Sequence, residues 1–100
     1  MKQIKEYVEQ MEEEICGAKD YIEKALWYKS KGDTIRYNKY KEMAMQELNH
    51  AEIIHTFAVE DIAKLEEVFP EVPTEMMDKW NESHKKYIEK VAWIRQMMAM

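Results

Sequence analysis

The sequence predicts an all-helical fold, and three observations carry that prediction. Only two glycines and two prolines occur in 100 residues, where average usage would supply about seven and about five, so there is little material for the many turns of a sheet protein. The balance of 46% hydrophobic and 35% charged residues is that of a globular chain rich in amphipathic helix. Apolar residues then recur at alternating spacings of four and three over long uninterrupted stretches, the pattern of helices with one buried face. A single domain over residues 1–100 follows, with helices at about 2–29, 34–69 and 75–97.

The first helix is marked by a seam of Ile4, Val8, Met11, Ile15, Ala18, Ile22 and Ala25. It should stop near Ser30-Lys31-Gly32, because Gly32 can take the left-handed backbone of a C-terminal cap, and Lys29 and Lys31 suit the negative end of the helix dipole. Asp33 or Thr34 then caps the second helix, whose seam runs through Tyr40, Ala44, Glu47, Ala51, Ile54, Ala58, Asp61, Leu65 and Val68. At ~1.5 Å per residue that helix spans about 50 Å, too long to fold back on itself, so it must lie antiparallel to helix one. Pro70-Glu71-Val72-Pro73 ends it, since each proline lacks an N–H and disfavours helix before it, and Thr74 is the N-cap of helix three. The third seam is Met77, Trp80, His84, Tyr87, Val91, Ile94 and Met98, widened by Ile88 and Trp93.

Charge and composition exclude several function classes. A net charge of −5 with no basic stripe opposes nucleic-acid binding, which needs lysine and arginine to neutralise phosphates, and favours cations as partners. The sequence has no run of about 18 apolar residues, so no membrane association is expected. The absence of an apolar N-terminal stretch and the single Cys16, read as an inert thiol, fit a cytoplasmic location. Three tryptophans and six tyrosines exceed what a small core can bury, so a homo-oligomer is expected.

The chemistry is concentrated in Glu47-Leu48-Asn49-His50, which sets a carboxylate and an imidazole three residues apart on one helical face, within reach of one metal. Glu47 lies in an apolar seam, where a carboxylate is expensive unless paired or coordinated. Glu14 borders the seam of helix one, while Glu12 and Glu13 belong to its solvated face. Glu14 precedes Gly32 by eighteen residues, and Glu47 and His50 follow it by fifteen and eighteen, so a turn at Gly32 brings all three to one level. His84 reads as a hydrogen-bonded core or interface histidine, Asp61 as the partner of a lysine, and the nine methionines as flexible packing. His55 is about 140° round the helix from His50 and should not share its metal.

Glu14-Ile15-Cys16-Gly17-Ala18-Lys19-Asp20-Tyr21 and Glu47-Leu48-Asn49-His50-Ala51-Glu52 resemble the first two helices of the ferritin-like superfamily, especially bacterioferritin and rubrerythrin. The Glu14 to Glu47 spacing and the tyrosine seven residues after the first glutamate carry the resemblance, which covers roughly residues 4 to 65. It implies that Glu14 is a terminal carboxylate ligand, that Glu47 bridges two metals, that His50 is a terminal nitrogen ligand, and that Tyr21 lies beside the cofactor. A full site of this kind takes two glutamates and two Glu-x-x-His motifs from four helices; this sequence carries half. Similarity to the short encapsulated ferritins implies that two hairpins related by a two-fold axis complete a four-helix-type bundle by dimerisation, alone or in multiples of dimers. The implied cofactor is a non-haem di-iron centre, with Mn or Zn also compatible with the donors. The implied activity is ferroxidase-type oxidation of Fe(II) by oxygen or peroxide. The alternatives are a rubrerythrin-like peroxide scavenger, disfavoured because one cysteine cannot build a four-cysteine electron-donor site, a metal-free structural or adaptor bundle, and a mononuclear site within one chain.

Overall fold

The computed structural model describes residues 2–69, 71 and 74–100. It consists of α1 (Lys2–Ser30), α2 (Thr34–Val68) and α3 (Thr74–Met98), and no strand occurs among the described residues. The predicted helices begin and end within one residue of these limits, except that Thr74, expected as a cap, is the first residue of α3. The predicted stop signal of α2 falls on Pro70, Val72 and Pro73, which lie outside the described residues.

The α1–α2 turn is fixed by local chemistry. Gly32 has φ +75°, and the N–H groups of Gly32 and Asp33 donate to the carbonyls of Lys29 and Tyr28, each at 3.0 Å. This pair of bonds satisfies the last carbonyls of α1, and it requires a left-handed residue that only glycine supplies without strain. Asp33 then starts α2. Its carboxylate accepts from the Arg36 N–H at 3.0 Å and pairs with the Arg36 guanidinium at 2.7 Å, which holds the Asp33 carboxyl below its usual pKa. With only Lys31, Gly32 and Asp33 between them, the two helices must run antiparallel.

α1 buries Ile4, Met11, Ile15, Ala18, Ile22 and Ala25, the predicted seam except for a half-buried Val8. Facing it, α2 buries Ala44, Leu48, Ala51, Ala58 and Ile62. Five of these buried residues are alanines with no exposed surface, so the helix axes can approach closely. α3 runs parallel to α1: Trp80 near its start joins Ile4 and Ile62, and Ile94 near its end joins Ile15 and Ile22. At the turn end Lys29 donates to the carbonyl of Met100, and midway Arg95 pairs with Glu52 of α2. The result is a rod of 56 × 18 × 17 Å. Large side chains such as Met11 and Ile94, each 1% exposed, contribute about 1.5–3 kcal/mol apiece by leaving water. None of the helices among the described residues is long and apolar enough to cross a membrane.

Three seam expectations are corrected. Val68 is exposed, because α2 outruns the end of α1 there. Leu48 and Ile62 are core residues outside the predicted seam, because α2 packs against both α1 and α3 and its buried band is wider than one seam. Ile88 and Trp93 do not widen the core; both are exposed, since α3 has neighbours on one side only.

Candidate metal centre

Helical periodicity divides the hairpin into two flanks. α3 covers one: Glu12 and Ile15 of α1 line its crevice with Tyr87, and Glu52 and His55 of α2 meet Arg95 and His84. Glu14 is about 200° round α1 from Glu12, and His50 about 200° round α2 from Glu52, so both lie on the flank that α3 leaves open.

On that flank Glu14, Glu47 and His50 converge, each offering one donor atom within 4.8 Å of the others. The two glutamates are half-buried and His50 is exposed. His50 Nδ1 stands 3.5 Å from Glu14 Oε2. The Glu47 carboxyl is held above its usual pKa, first because Glu14 beside it can accept a hydrogen bond only from the protonated acid, then by burial and the charge of Glu14, with His50 opposing.

The donor set fits a divalent cation. Two carboxylates pressed together repel in its absence and are neutralised in its presence. Two oxygens with one imidazole suit Fe(II), Mn(II) or Zn(II). Donors about 2.1 Å from an ion lie about 3.0–3.4 Å apart, so the cluster needs only small side-chain rotations to close.

Aromatic pairs bracket the cluster. Tyr7 and Phe57, two turns to one side, have ring centroids 6.2 Å apart, and Tyr21 and Tyr40, two turns to the other, are also 6.2 Å apart. Tyr21, expected beside the cofactor, is half-buried and turns its ring towards Tyr40.

The other candidates separate from this group. His84 lies on the covered flank and stacks with Trp80 at 5.5 Å and with His55 at 4.9 Å, while His55 stacks with Tyr87 at 4.7 Å. Among the described residues His55 Nε2 is buried without a hydrogen-bond partner, and burial followed by the charge of His84 lowers the His55 pKa. The expectation for His84 is thus corrected in kind, from hydrogen bonding to ring stacking. Sequence reasoning missed the four-ring stack; its signal was the succession of Trp80, His84 and Tyr87 in the seam of α3, and the addition of His55 had none. Asp61, expected to pair with a lysine, makes no ion pair among the described residues and sits half-buried beside Leu65. Cys16 is a free, exposed thiol.

No family model matches the chain, and neither the curated proteins nor the solved structures contain a match.

Proposed function

We propose that the chain is a ferritin-like protein that binds non-haem iron through Glu14, Glu47 and His50 and oxidises Fe(II), with a second copy completing the site. The observation that carries this reading is the meeting of the three donors within 4.8 Å across two helices. They are the residues that the family resemblance nominates.

Each side chain has a distinct task in this proposal. Glu47 would hold the metals as the bridging carboxylate that the family resemblance implies. Glu14 and His50 would be the terminal ligands which that resemblance implies, and the Glu14 carboxylate, 3.5 Å from the imidazole Nδ1, would also orient the ring. Hard carboxylate oxygens favour the ferric over the ferrous state, and iron supplies the one-electron couple that reduces oxygen or peroxide. Tyr21 belongs to the surroundings of the site.

A second copy is favoured because one chain offers three protein donors on an exposed flank, whereas a di-metal centre needs about twice as many. Tyr7, Phe57, Met43 and Ile54 lie at seven-residue spacings from Glu14, His50 and Glu47 on that flank, so the surface around the donors has the apolar character of a bundle interior.

Anaerobic titration of metal-free protein with Fe(II), with oligomer mass read in parallel, tests the proposal. About one iron per chain, bound only by dimers or their multiples and giving ferric absorbance on exposure to oxygen, is expected. Uptake no greater than that of a Glu47→Ala, His50→Ala double variant would refute it.

A further inference from the structure

Gly17 stands in the interior of α1, three residues beyond Glu14. Glycine at such a position weakens a helix, because it has more backbone freedom to lose than alanine. The backbone does not ask for it, since Gly32 is the described glycine with positive φ. Close packing of the two helices does not ask for it either, since fully buried alanines suffice at positions 18, 25, 44, 51 and 58.

What would meet a side chain at Gly17 is the carboxylate of Glu47. A Cβ there would lie 3.2 Å from Glu47 Oε2 and 3.6 Å from both Cδ and Cγ, its three nearest neighbours. The first distance is tighter than ordinary van der Waals contact, so the carboxylate would have to retreat by a few tenths of an ångström. Glu47 is flexible enough to do so, and its carboxylate would then shift by that amount relative to Glu14.

We infer that Gly17 is a positioning residue of the metal centre, a gap in the α1 surface that lets the Glu47 carboxylate seat between the helices. The inference rests on the proposed metal reading for its consequence and on the Gly17–Glu47 approach for its geometry. Helix stability is surrendered at one position so that a ligand can sit closer than a methyl group would allow.

The test compares wild type, Gly17→Ala and the exposed neighbouring control Cys16→Ala, first by anaerobic Fe(II) titration and then by thermal melting of the metal-free proteins. Gly17→Ala should lower Fe(II) affinity by about 10- to 100-fold, the size typical of losing a residue that supports a ligand, while Cys16→Ala leaves it unchanged. In a Glu47→Asp background, whose shorter acid withdraws from position 17, Gly17→Ala should cause a much smaller loss. In metal-free protein Gly17→Ala should raise the melting temperature by several degrees in a Glu47→Ala background, through helix propensity, and by less when Glu47 is present. Equal Fe(II) affinity for Gly17→Ala and wild type, or equal melting shifts with and without Glu47, would overturn the inference. Failure of wild type to take up Fe(II) would instead strike the metal reading, and the melts would then decide the positioning contact alone.

Discussion

Replacing Glu47 by glutamine should reverse in sign between metal-free and metal-bound protein, and that reversal separates a metal centre from a structural polar cluster. Glu14 and Glu47 present oxygens within 4.8 Å of each other. Two unit charges at that distance repel by about 0.9 kcal/mol in a fully aqueous dielectric and by about 3.5 kcal/mol at an effective dielectric of ~20. The half-buried, partly hydrated site lies between these limits and nearer the first, so about 1–2 kcal/mol is expected. Glutamine keeps the size of Glu47, removes the repulsion and offers an NH₂ that donates to Glu14. In metal-free protein near neutral pH, Glu47→Gln should therefore melt about 4–15 °C higher than wild type, since about 1 kcal/mol moves a domain of this size by about 4–8 °C. With Fe(II) at about a hundred times its dissociation constant, wild type gains about 2.7 kcal/mol, the variant gains little, and the order inverts. Calorimetry of both proteins in chelator and in anaerobic Fe(II) reads all four states. If Glu47→Gln is no more stable than wild type without metal, or gains equally from Fe(II), the carboxylates are not held against each other for a cation.

Three further outcomes are expected. Asp33→Ala should destabilise the hairpin and lower its urea midpoint, because the N–H of Arg36 loses its acceptor and the guanidinium its partner; urea denaturation measures it, and an unchanged midpoint would show that the turn does not depend on the cap. The pKa of His55 is lowered in the folded chain by burial and by His84, with Glu52 opposing, so the unfolded chain binds the extra proton first. Stability should thus be constant above about pH 6.5 and fall as pH drops below it; melts across this range with wild type and His55→Phe should show a slope in the first that shrinks in the second, and identical slopes would refute the assignment. Phe57→Lys places a charge on the open flank beside Tyr7, so sedimentation should show loss of self-association together with loss of Fe(II) uptake, whereas full uptake by monomers would mean the site is complete within one chain.

The hairpin was legible in the sequence because its determinants are local. Gly32 and Asp33 fix where α1 stops and α2 starts, and an apolar residue every three or four positions, from Ile4 to Ala25, faces one partner along its length. Once the turn was placed, counting outward from Gly32 set Glu14 level with Glu47 and His50, and the same three donors meet in the folded chain. The approach of Glu47 to Gly17 was not legible, since it depends on the spacing of two helix axes to within tenths of an ångström. Nor was the His55–His84 stack, because the two rings meet only through the direction and rotation of α3, and no motif in the α2–α3 connection specifies either. The misreadings of Val68, Ile88 and Trp93 share a cause: periodicity reports which face of a helix is apolar, but only the neighbours decide how much of that face is covered.

The two flanks of the hairpin pose different physical problems. On the flank under α3 the polar groups are drawn into partnerships within the chain: Glu52 with Arg95, and His55 and His84 within a stack of aromatic rings. On the open flank Glu14 and Glu47 bring like charges together, and among the described residues His50 is the one basic side chain placed within reach of both. Folding alone gains nothing from that juxtaposition, and salt screens it only in part because both acids are half-buried. An arrangement that is unfavourable in the isolated chain and favourable around a divalent cation gives metal and fold a shared free energy: what the carboxylates lose by mutual repulsion returns as affinity when the ion enters. The aromatic pairs at two turns above and below the acids extend the same logic to the second copy proposed above. They leave apolar surface in water around a charged centre, and covering that surface would also remove water from the centre, strengthening the attraction between cation and carboxylates.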